Sequence, residues 1–327
     1  MFQNKFKIIF INIILVVLVV GILISAFYSY RYSQLETKIQ ASDSFVSCDK
    51  YQNNDLEVFK LVPNSICYCT DKYNGKVVKK TKIIIDSNGF RRTQDDFDKS
   101  KSRMVVFGCS FAFGYRIADN ETFAWRLSEL THRKVYNVSY SGEGLQHMLL
   151  SLQSEDFWKK IPDSDTFVYV FIKDHFRRLK SPTNLGDGNF YPTYKLLPNG
   201  RLVANKPSKE FINADFDGRK RLKKLSYIAS TGYESADPNL RKLFIAILKE
   251  SQSIIKEKRP NAKFIILDIE SDSEIADLFR SNGFDVVSVS DLLGTRYYTN
   301  KYMVLNNHPN AEFWKVLTPK FVEYEKL

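Results

Sequence analysis

The chain has 327 residues, with 48 Lys and Arg against 37 Asp and Glu, which gives a formal net charge of +11. This length is more than one minimal α/β domain needs and too little for two large cores, and the chain contains neither a low-complexity tract nor a 20- to 50-residue repeat. The spread basic charge is compatible with anionic partners such as lipid head groups or an acidic envelope glycan, although a solvated, charged helix face is its commonest explanation. Because the chain has no recognition motif, we do not expect it to bind nucleic acid.

The N-terminus contains a long apolar segment at 8–27. It carries no charge and only Asn12 and Ser25 as polar side chains, and about 20 such residues cross a bilayer as a helix. A cleaved signal peptide is the alternative, but the segment is longer than a usual signal core and 24–26 is a poor cleavage site. We therefore expect an uncleaved transmembrane helix over 8–27.

The charges on either side of this segment predict its orientation. Lys5 and Lys7 precede it, whereas Arg31 follows it and the more distant Lys38 is offset by Glu36. Because positive charge collects on the cytoplasmic side, we expect 1–7 in the cytoplasm and everything after the span on the outer side.

Residues 28–82 form a polar lead-in, which we expect to pack as a small extracytoplasmic extension. It holds Cys48, Cys67 and Cys69, and an outward location permits a disulfide among them whose pairing the sequence leaves open. The fourth cysteine, Cys109, is expected to be a buried structural residue. The chain has no ligand spacing typical of a metal site, so we predict no metal and no other cofactor.

From residue 83 onward, short β-branched and aromatic runs alternate with helix-like stretches, as in βαβ units. The predicted strands lie at 83–85, 104–107, 135–138, 167–172, 264–267 and 286–289. This pattern predicts one α/β domain over 83–327 with a mostly parallel sheet and helices on both faces.

The strand at 104–107 leads directly into Gly108 and Ser110. A strand followed by a sharp turn of small residues is where a nucleophilic hydroxyl projects from the edge of an α/β sheet, although a serine there also often caps the next helix. Near the C-terminus, His308 stands at a loop-to-helix junction, where it is either a catalytic base or a helix-start residue bonded to backbone.

An insertion at 181–235 interrupts the strand and helix alternation. Within it, Pro198, Asn199 and Gly200 separate two apolar runs, and Asn-Gly between such runs is a strong hairpin signal. Long insertions beside an α/β active site are often lids or binding surfaces, so this hairpin is a candidate for substrate contacts, the alternative being a loop without function.

Four blocks in order resemble the SGNH (GDSL-like) hydrolase superfamily over roughly residues 83–325. They are Gly-Cys-Ser-Phe at 108–111, Asn-Val-Ser-Tyr-Ser-Gly at 137–142, the strand and turn at 167–174, and His-Pro-Asn-Ala at 308–311. The segment 86–91 also resembles the Asn-x-Gly-Phe-Arg lead-in of membrane-associated or secreted members.

The resemblance implies a three-layer α/β/α, flavodoxin-like fold and acyl transfer by a serine. Ser110 would attack an ester carbonyl, and His308 would take its proton. The backbone N–H groups of Ser110 and Gly142 would stabilise the oxyanion. Together with the apolar segment at 8–27 and its flanking charges, the resemblance predicts a single-pass protein of the bacterial inner membrane whose domain faces the periplasm or cell exterior.

Three positions depart from the family pattern. Cys109 replaces the block Asp, and Lys173 replaces the Asn that supplies a third oxyanion donor; the Lys173 ammonium could still serve as that third donor. The usual orienting acid is also missing, because positions 305 and 306 are Leu305 and Asn306, so that Asn306 is the possible orienting residue. Asp174, which follows Lys173, does not by itself replace these missing groups. A carboxylate after a buried strand is as readily a helix cap or an ion-pair partner, here of Arg177 or Arg178, as a catalytic group.

Two functions follow from these residues. In the first, the protein is an esterase or O-acyltransferase acting on acyl esters, above all O-acetyl esters, of cell-envelope glycan through Ser110 and His308. In the second, it is a degenerate relative that binds glycan or an envelope-assembly partner without chemistry. The sequence does not distinguish hydrolysis from transfer.

Overall fold

The computed structural model describes residues 16, 19–21, 23–27, 42–47, 50–53, 58–73, 76–180, 193–205, 234–294, 302–304 and 308–327. Contacts divide the chain into two units, one combining 46–70 with 80–327 and the other combining 1–45 with 71–79. The candidate site and the parallel sheet described below belong to the first of these units.

The predicted span at 8–27 lies mostly outside the described residues, and its described positions 16, 19–21 and 23–27 are helical. Across the part of the chain that the structure describes, no helix is both long enough and apolar enough to cross a bilayer.

The strands are numbered in chain order. They are β1 (Ser42–Ser47), β2 (Lys50–Asn53), β3 (Val58–Leu61), β4 (Ile66–Tyr73), β5 (Lys76–Ile84), β6 (Arg103–Phe107), β7 (Val135–Asn137), β8 (Ser164–Phe171), β9 (Thr193–Leu196), β10 (Leu202–Asn205), β11 (Lys263–Asp268), β12 (Asp285–Ser288), β13 (Met303–Val304) and β14 (His308–Pro309).

The α-helices are numbered in the same way. They are α1 (Ser110–Phe113), α2 (Phe123–Thr131), α3 (Leu145–Leu152), α4 (Glu155–Lys160), α5 (Asp174–Lys180), α6 (Pro238–Lys258), α7 (Ser273–Ser281), α8 (Val289–Leu293) and α9 (Ala311–Glu325). Two 3₁₀ turns lie at Asp119–Glu121 and Glu234–Ala236.

A five-stranded sheet in the order β12-β11-β8-β6-β7 forms the centre of the domain. Every neighbouring pair in it is parallel. This confirms the predicted α/β architecture with a mostly parallel sheet. Because parallel strands end at the same edge, the residues that follow β6, β7, β8 and β11 are brought to one side of the sheet, where ligands bind in such folds.

The period-two alternation along each strand builds two cores, one on each face of the sheet. Val105 and Phe107 of β6 pack in a core with side chains of α3 to α7, whereas Met104 and Val106 pack on the opposite face with side chains of α1, α2, α8 and α9. The three layers expected for the domain are therefore present.

Five of the six predicted strands lie in this sheet, and the run at 83–85 does not. Ile83 belongs to β5, which is in a separate three-stranded sheet with β1 and β4. Ile83 and Ile85 are buried in a small cluster with Phe113. A short β-branched run marks a strand, but it does not show which sheet the strand joins.

The predicted hairpin is also present. β9 and β10 pair antiparallel, with Leu196 opposite Leu202, and the Gly200 N–H donates to the Leu197 carbonyl across the turn. The rest of the 181–235 insertion, apart from 234–235, lies outside the described residues, so its role as a lid stays a prediction.

Candidate active site

The segment 108–114, which we call the nucleophile turn, carries Ser110 from the end of β6 into the short helix α1. Gly108 adopts a φ of +152°, and a Cβ on it would lie 2.8 Å from the Cβ of Ala112 and 3.1 Å from the Val170 carbonyl oxygen. Only a residue without a side chain fits so close to β8. The glycine seen in the sequence thus allows the turn that places Ser110 at the carboxyl edge of the sheet.

His308 approaches this turn from the other end of the chain. It lies in β14, where it pairs with Val304, and the following Asn310 caps α9 by accepting from the Phe313 N–H at 2.9 Å. The helix-start role that the sequence left open therefore falls to Asn310.

Ser110 and His308 are in direct contact. The Ser110 Oγ lies 2.8 Å from the His308 Nε2, although 198 positions separate the two residues in the chain. The imidazole is flanked by the rings of Phe111 and Tyr115, each with its centroid 4.9 Å from that of the histidine. Two aromatic rings therefore restrict the orientation of the imidazole, and its Nε2 is directed at the hydroxyl.

The predicted orienting residue, Asn306, lies outside the described residues, together with positions 305 and 307. The expected contact between Asn306 and the His308 Nδ1 therefore stays a prediction. For Nε2 to accept the Ser110 proton, the ring proton must be on Nδ1.

The 139–144 loop follows β7 and contains Gly142, the second predicted oxyanion donor. Gly142 has a φ of +88°, a left-handed conformation that favours glycine. The Ser139 hydroxyl donates to the Val106 carbonyl at 3.2 Å, and the Glu143 N–H donates to the Tyr140 carbonyl at 3.2 Å. These bonds attach the loop to β6 and fold it into a turn.

The third block, residues 167–174, ends in Lys173 and Asp174 at the carboxyl end of β8. The Lys173 ammonium forms an ion pair with Asp272, and its backbone N–H donates to the Glu270 carboxylate. The side chain is 40% exposed. Where the sequence resemblance led us to expect an amide, the structure has a cation with a carboxylate partner of its own.

Asp174 forms ion pairs with both Arg177 and Arg178, at 2.5 and 2.8 Å. This confirms the ion-pair alternative given by the sequence. Although burial acts to raise it, the two guanidinium groups hold the pKa of the Asp174 carboxyl well below its usual range. Next to it, His175 is fully buried, with its Nδ1 2.6 Å from the Tyr169 hydroxyl, and burial lowers its pKa.

The cysteines divide into two kinds. Cys67 is in a disulfide, whereas Cys69 and Cys109 are buried reduced thiols, and Cys48 lies outside the described residues. The disulfide that the sequence allowed is therefore present, and Cys69 is excluded from it. Cys109 packs in the core on the α9 face of the sheet, which agrees with a structural role.

Arg91 supports the nucleophile turn from behind, a role that the sequence did not indicate. Its guanidinium donates to the carbonyls of Phe113 and Gly114 at 2.6 Å and of Ile117 at 2.7 Å, and it pairs with Asp119 at 2.9 Å. The residue is 1% exposed. Its only sequence signal was its place in the 86–91 segment, which resembles a family lead-in.

Asp268 is a buried carboxyl at the end of β11. Its Oδ1 accepts from the N–H groups of Glu270 and Ser271, both at 3.1 Å, and its Oδ2 lies 3.4 Å from the Ser288 hydroxyl. Burial raises its pKa to about 7, more than the two N–H groups lower it. Within the described ranges, no group of three or more His, Cys, Asp or Glu side chains is arranged to hold a metal ion.

No protein-family model and no curated protein matches the chain. Solved structures that it is similar to include an acetyl xylan esterase from Butyrivibrio proteoclasticus, at 11% identity over 82% of this chain and 72% of that chain, with a TM-score of 0.43. A carbohydrate esterase family 2 enzyme from Corynascus thermopiles matches at 11% identity over 88% and 92%, with a TM-score of 0.42.

A lipolytic protein of the G-D-S-L family from Desulfitobacterium hafniense is also similar, at 10% identity over 68% of this chain and 99% of that chain, with a TM-score of 0.39. At these scores the similarity carries no argument about activity. The contacts of Ser110 and His308 are therefore the basis on which a function is proposed below.

Proposed function

We propose that the protein is a serine esterase or O-acyltransferase in which Ser110 is the nucleophile and His308 the general base. One observation supports this assignment above all, the 2.8 Å contact between the Ser110 Oγ and the His308 Nε2. This distance is within the range for transfer of a proton from nucleophile to base.

The reaction follows from this pair. As the Ser110 Oγ attacks the ester carbonyl carbon, His308 takes the hydroxyl proton and the carbonyl oxygen becomes an oxyanion. When the tetrahedral species collapses, the bond to the leaving alcohol breaks, and the imidazolium returns the proton to that alcohol. Water or an acceptor hydroxyl then attacks the acyl-enzyme with the same proton transfers in reverse, which releases an acid or a new ester.

The oxyanion would be stabilised by the backbone N–H groups of Ser110 and Gly142. Ser110 begins α1 and Gly142 lies in the 139–144 loop, so both donors belong to turns at the carboxyl edge of the sheet. A contribution from Lys173 as a third donor stays a prediction. It would require the ammonium to act beyond its ion pair with Asp272.

For the substrate we propose acyl esters, above all O-acetyl esters, of a cell-envelope glycan. The cavity beside the 139–144 loop does not contribute to this proposal, because neither Ser110 nor His308 lines it and its two phenylalanines, Phe90 and Phe157, are buried in the core. The formal charge of +11 agrees with an acidic glycan.

We further propose that this domain faces the periplasm or cell exterior and that 8–27 anchors it in the bacterial inner membrane. Two observations support this location. The apolar segment is long enough to span a bilayer, and the Cys67 disulfide is the kind of bond that persists in oxidising compartments.

Turnover of p-nitrophenyl acetate by the full-length protein tests the proposal. We expect Ser110→Ala and His308→Ala each to lower kcat by about a thousandfold or more, because each removes one of the two groups that transfer the proton. His132→Asn is the matched control, because His132 is an exposed histidine at the end of α2. Equal turnover in all four proteins would contradict the assignment.

A binding role without chemistry is the second candidate. It is favoured by Lys173, whose ammonium pairs with Asp272 where the family has a neutral amide donor. If wild-type turnover equals that of Ser110→Ala on acetylated glycans as well as on the chromogenic ester, this second function replaces the first.

A further inference from the structure

The 139–144 loop is held at one particular peptide group. The carbonyl of Glu143 and the N–H of Gly144 belong to the same peptide plane, and a different side chain bonds to each. Arg178 donates through Nη1 to the Glu143 oxygen, and the Gly144 N–H donates to the His147 Nδ1 at 3.0 Å. The Gly142 N–H belongs to the Ser141–Gly142 peptide, two planes earlier in the same loop. Between them the Glu143 N–H donates to the Tyr140 carbonyl at 3.2 Å, so fixing the Glu143–Gly144 plane restricts how the turn that carries the Gly142 N–H can move.

Arg178 is itself fixed in place. Its Nε and Nη2 both lie 2.8 Å from the Asp174 Oδ2, and its side chain is only 9% exposed. Its own backbone carbonyl accepts from the Gln146 Nε2 at 2.9 Å, which ties α5 to α3. A buried guanidinium with a carboxylate on one side and a carbonyl on the other has little freedom to move.

His147 keeps its acceptor form in this arrangement. Burial, and then the nearby Arg178 charge, lower the pKa of His147 to about 3. The imidazole is therefore neutral at all pH values at which an esterase would be assayed. Its Nδ1 can accept the Gly144 N–H throughout that range, so that side of the peptide plane stays held.

We propose that Arg178, held by Asp174, is a positioning residue that fixes the Glu143–Gly144 peptide and thereby aims the Gly142 N–H at the oxyanion. The inference rests on the proposed function. Asp174 directly follows Lys173, so the third block, which lacks the amide donor of the family, contributes to the oxyanion site here through a carboxylate and a guanidinium instead.

The test compares Arg178→Gln and Arg178→Lys with Arg133→Gln in the full-length protein. Arg133 is a matched control because it too is a largely buried arginine that pairs with a carboxylate, Asp165, and donates to a backbone carbonyl, that of Ser102, at 2.8 Å. It lies beside the first residues of β6 and β8, at the opposite edge of the sheet from Ser110.

Two measurements are made on each variant. The first is kcat and KM for p-nitrophenyl acetate, and the second is hydrogen exchange of the backbone amides at 139–144, with 164–171 as the internal reference. We expect Arg178→Gln to lower kcat by about tenfold to a hundredfold with KM changed less than about twofold, because the lost alignment matters mainly in the transition state. Exchange at 139–144 should rise while exchange at 164–171 stays the same.

Arg178→Lys should lower kcat and raise exchange at 139–144 less than Arg178→Gln does. An ammonium can still pair with Asp174, but it cannot bridge to the Glu143 carbonyl in the same geometry. The inference is overturned if exchange at 139–144 in Arg178→Gln equals that in wild type, or if kcat falls no more than in Arg133→Gln. Failure of the proposed function can be told apart from failure of this inference. If the protein is not an esterase, wild-type turnover equals that of Ser110→Ala, and the exchange measurement still shows whether Arg178 holds the loop.

Discussion

The nucleophile turn follows β6, and the third block comprises the end of the neighbouring parallel strand β8 and the residues after it, but the two are held in different ways. The nucleophile turn is fixed by close backbone packing at Gly108 and by carbonyl bonds to the buried Arg91. The third block is fixed by ion pairs between side chains. Lys173 and Asp272 are partly exposed, whereas Asp174 pairs with two arginines of which Arg178 is buried.

This difference indicates which part of the site tolerates change. A nucleophile needs one fixed position, and the turn that carries it is built from glycine, backbone and a fully satisfied guanidinium. The third block does not have to hold one atom in a single fixed position, and each of its charges has a partner of opposite charge nearby. A cation at Lys173 is therefore compatible with the contact between Ser110 and His308, and we propose that the third block acts on the site through the 139–144 loop.

The first prediction concerns Arg91, the buried side chain that supports the nucleophile turn. Arg91→Gln leaves the carbonyls of Phe113, Gly114 and Ile117 and the Asp119 carboxylate without their buried partner. We expect a loss of about 3 to 5 kcal/mol in the free energy of unfolding, as for other buried pairs from which one partner is removed. Urea denaturation followed by fluorescence measures it.

The neighbouring Arg92 provides the control for this substitution. It pairs at 2.6 Å with Asp95, and both side chains are well exposed. Arg92→Gln should change the free energy of unfolding by less than about 1 kcal/mol. Equal losses in the two variants would show that the nucleophile turn does not depend on its buried arginine.

The second prediction concerns Asp268, whose buried carboxyl has a pKa raised to about 7. Between its ordinary value near 4 and this value, the folded protein keeps a proton that the unfolded chain has released, so the contribution of Asp268 to stability falls as pH rises. Asp268→Asn resembles the protonated form. It should match wild type near pH 4 and become more stable above pH 7, by at most about 4 kcal/mol.

Unfolding free energies at several pH values measure this difference. Asp277→Asn is the control, because Asp277 is an exposed carboxylate on α7 that pairs with Arg280 at 3.6 Å. The difference between that variant and wild type should stay nearly constant over the same pH range. A flat difference for Asp268→Asn as well would mean that Asp268 is ionised in the folded protein.

The third prediction is a small change in kcat when Lys173, in the third block, is replaced. Because its half-exposed ammonium pairs with Asp272, Lys173→Ala should change kcat for p-nitrophenyl acetate by less than about fivefold, in line with the value of an exposed ion pair. A fall of a hundredfold or more would instead assign the ammonium to the oxyanion site. Lys173→Met, which keeps the length of the stem, separates loss of charge from loss of packing.

Much of the fold could be predicted from the sequence, because buried strands leave a local signal. The continuous apolar runs at 104–107 and 264–267 are typical of strands buried on both faces, and both lie in central strands of the sheet. The small residues around Ser110 predicted the turn. By contrast, the run at 83–85 joined another sheet, because strand partners are chosen by long-range packing.

The polar support of the site could not be predicted in the same way. Arg91 and Phe113 are 22 positions apart, and Arg178 and Glu143 are 35 apart, and neither arginine stands in a periodic pattern. Their roles depend on which carbonyls the turns leave unpaired at each site, which only the folded chain shows. The pairing of Ser110 with His308 was predicted only because block order added information beyond the residues themselves.

Covalent labelling with a fluorophosphonate tests whether His308 activates the Ser110 hydroxyl, because this reagent modifies an activated serine hydroxyl. The full-length protein is treated with the reagent, and the adduct is mapped by peptide mass spectrometry. We expect one adduct, on Ser110, which forms at a rate that falls about a thousandfold in His308→Ala. An unlabelled Ser110, an adduct on Cys109 instead, or equal labelling in His308→Ala would contradict it.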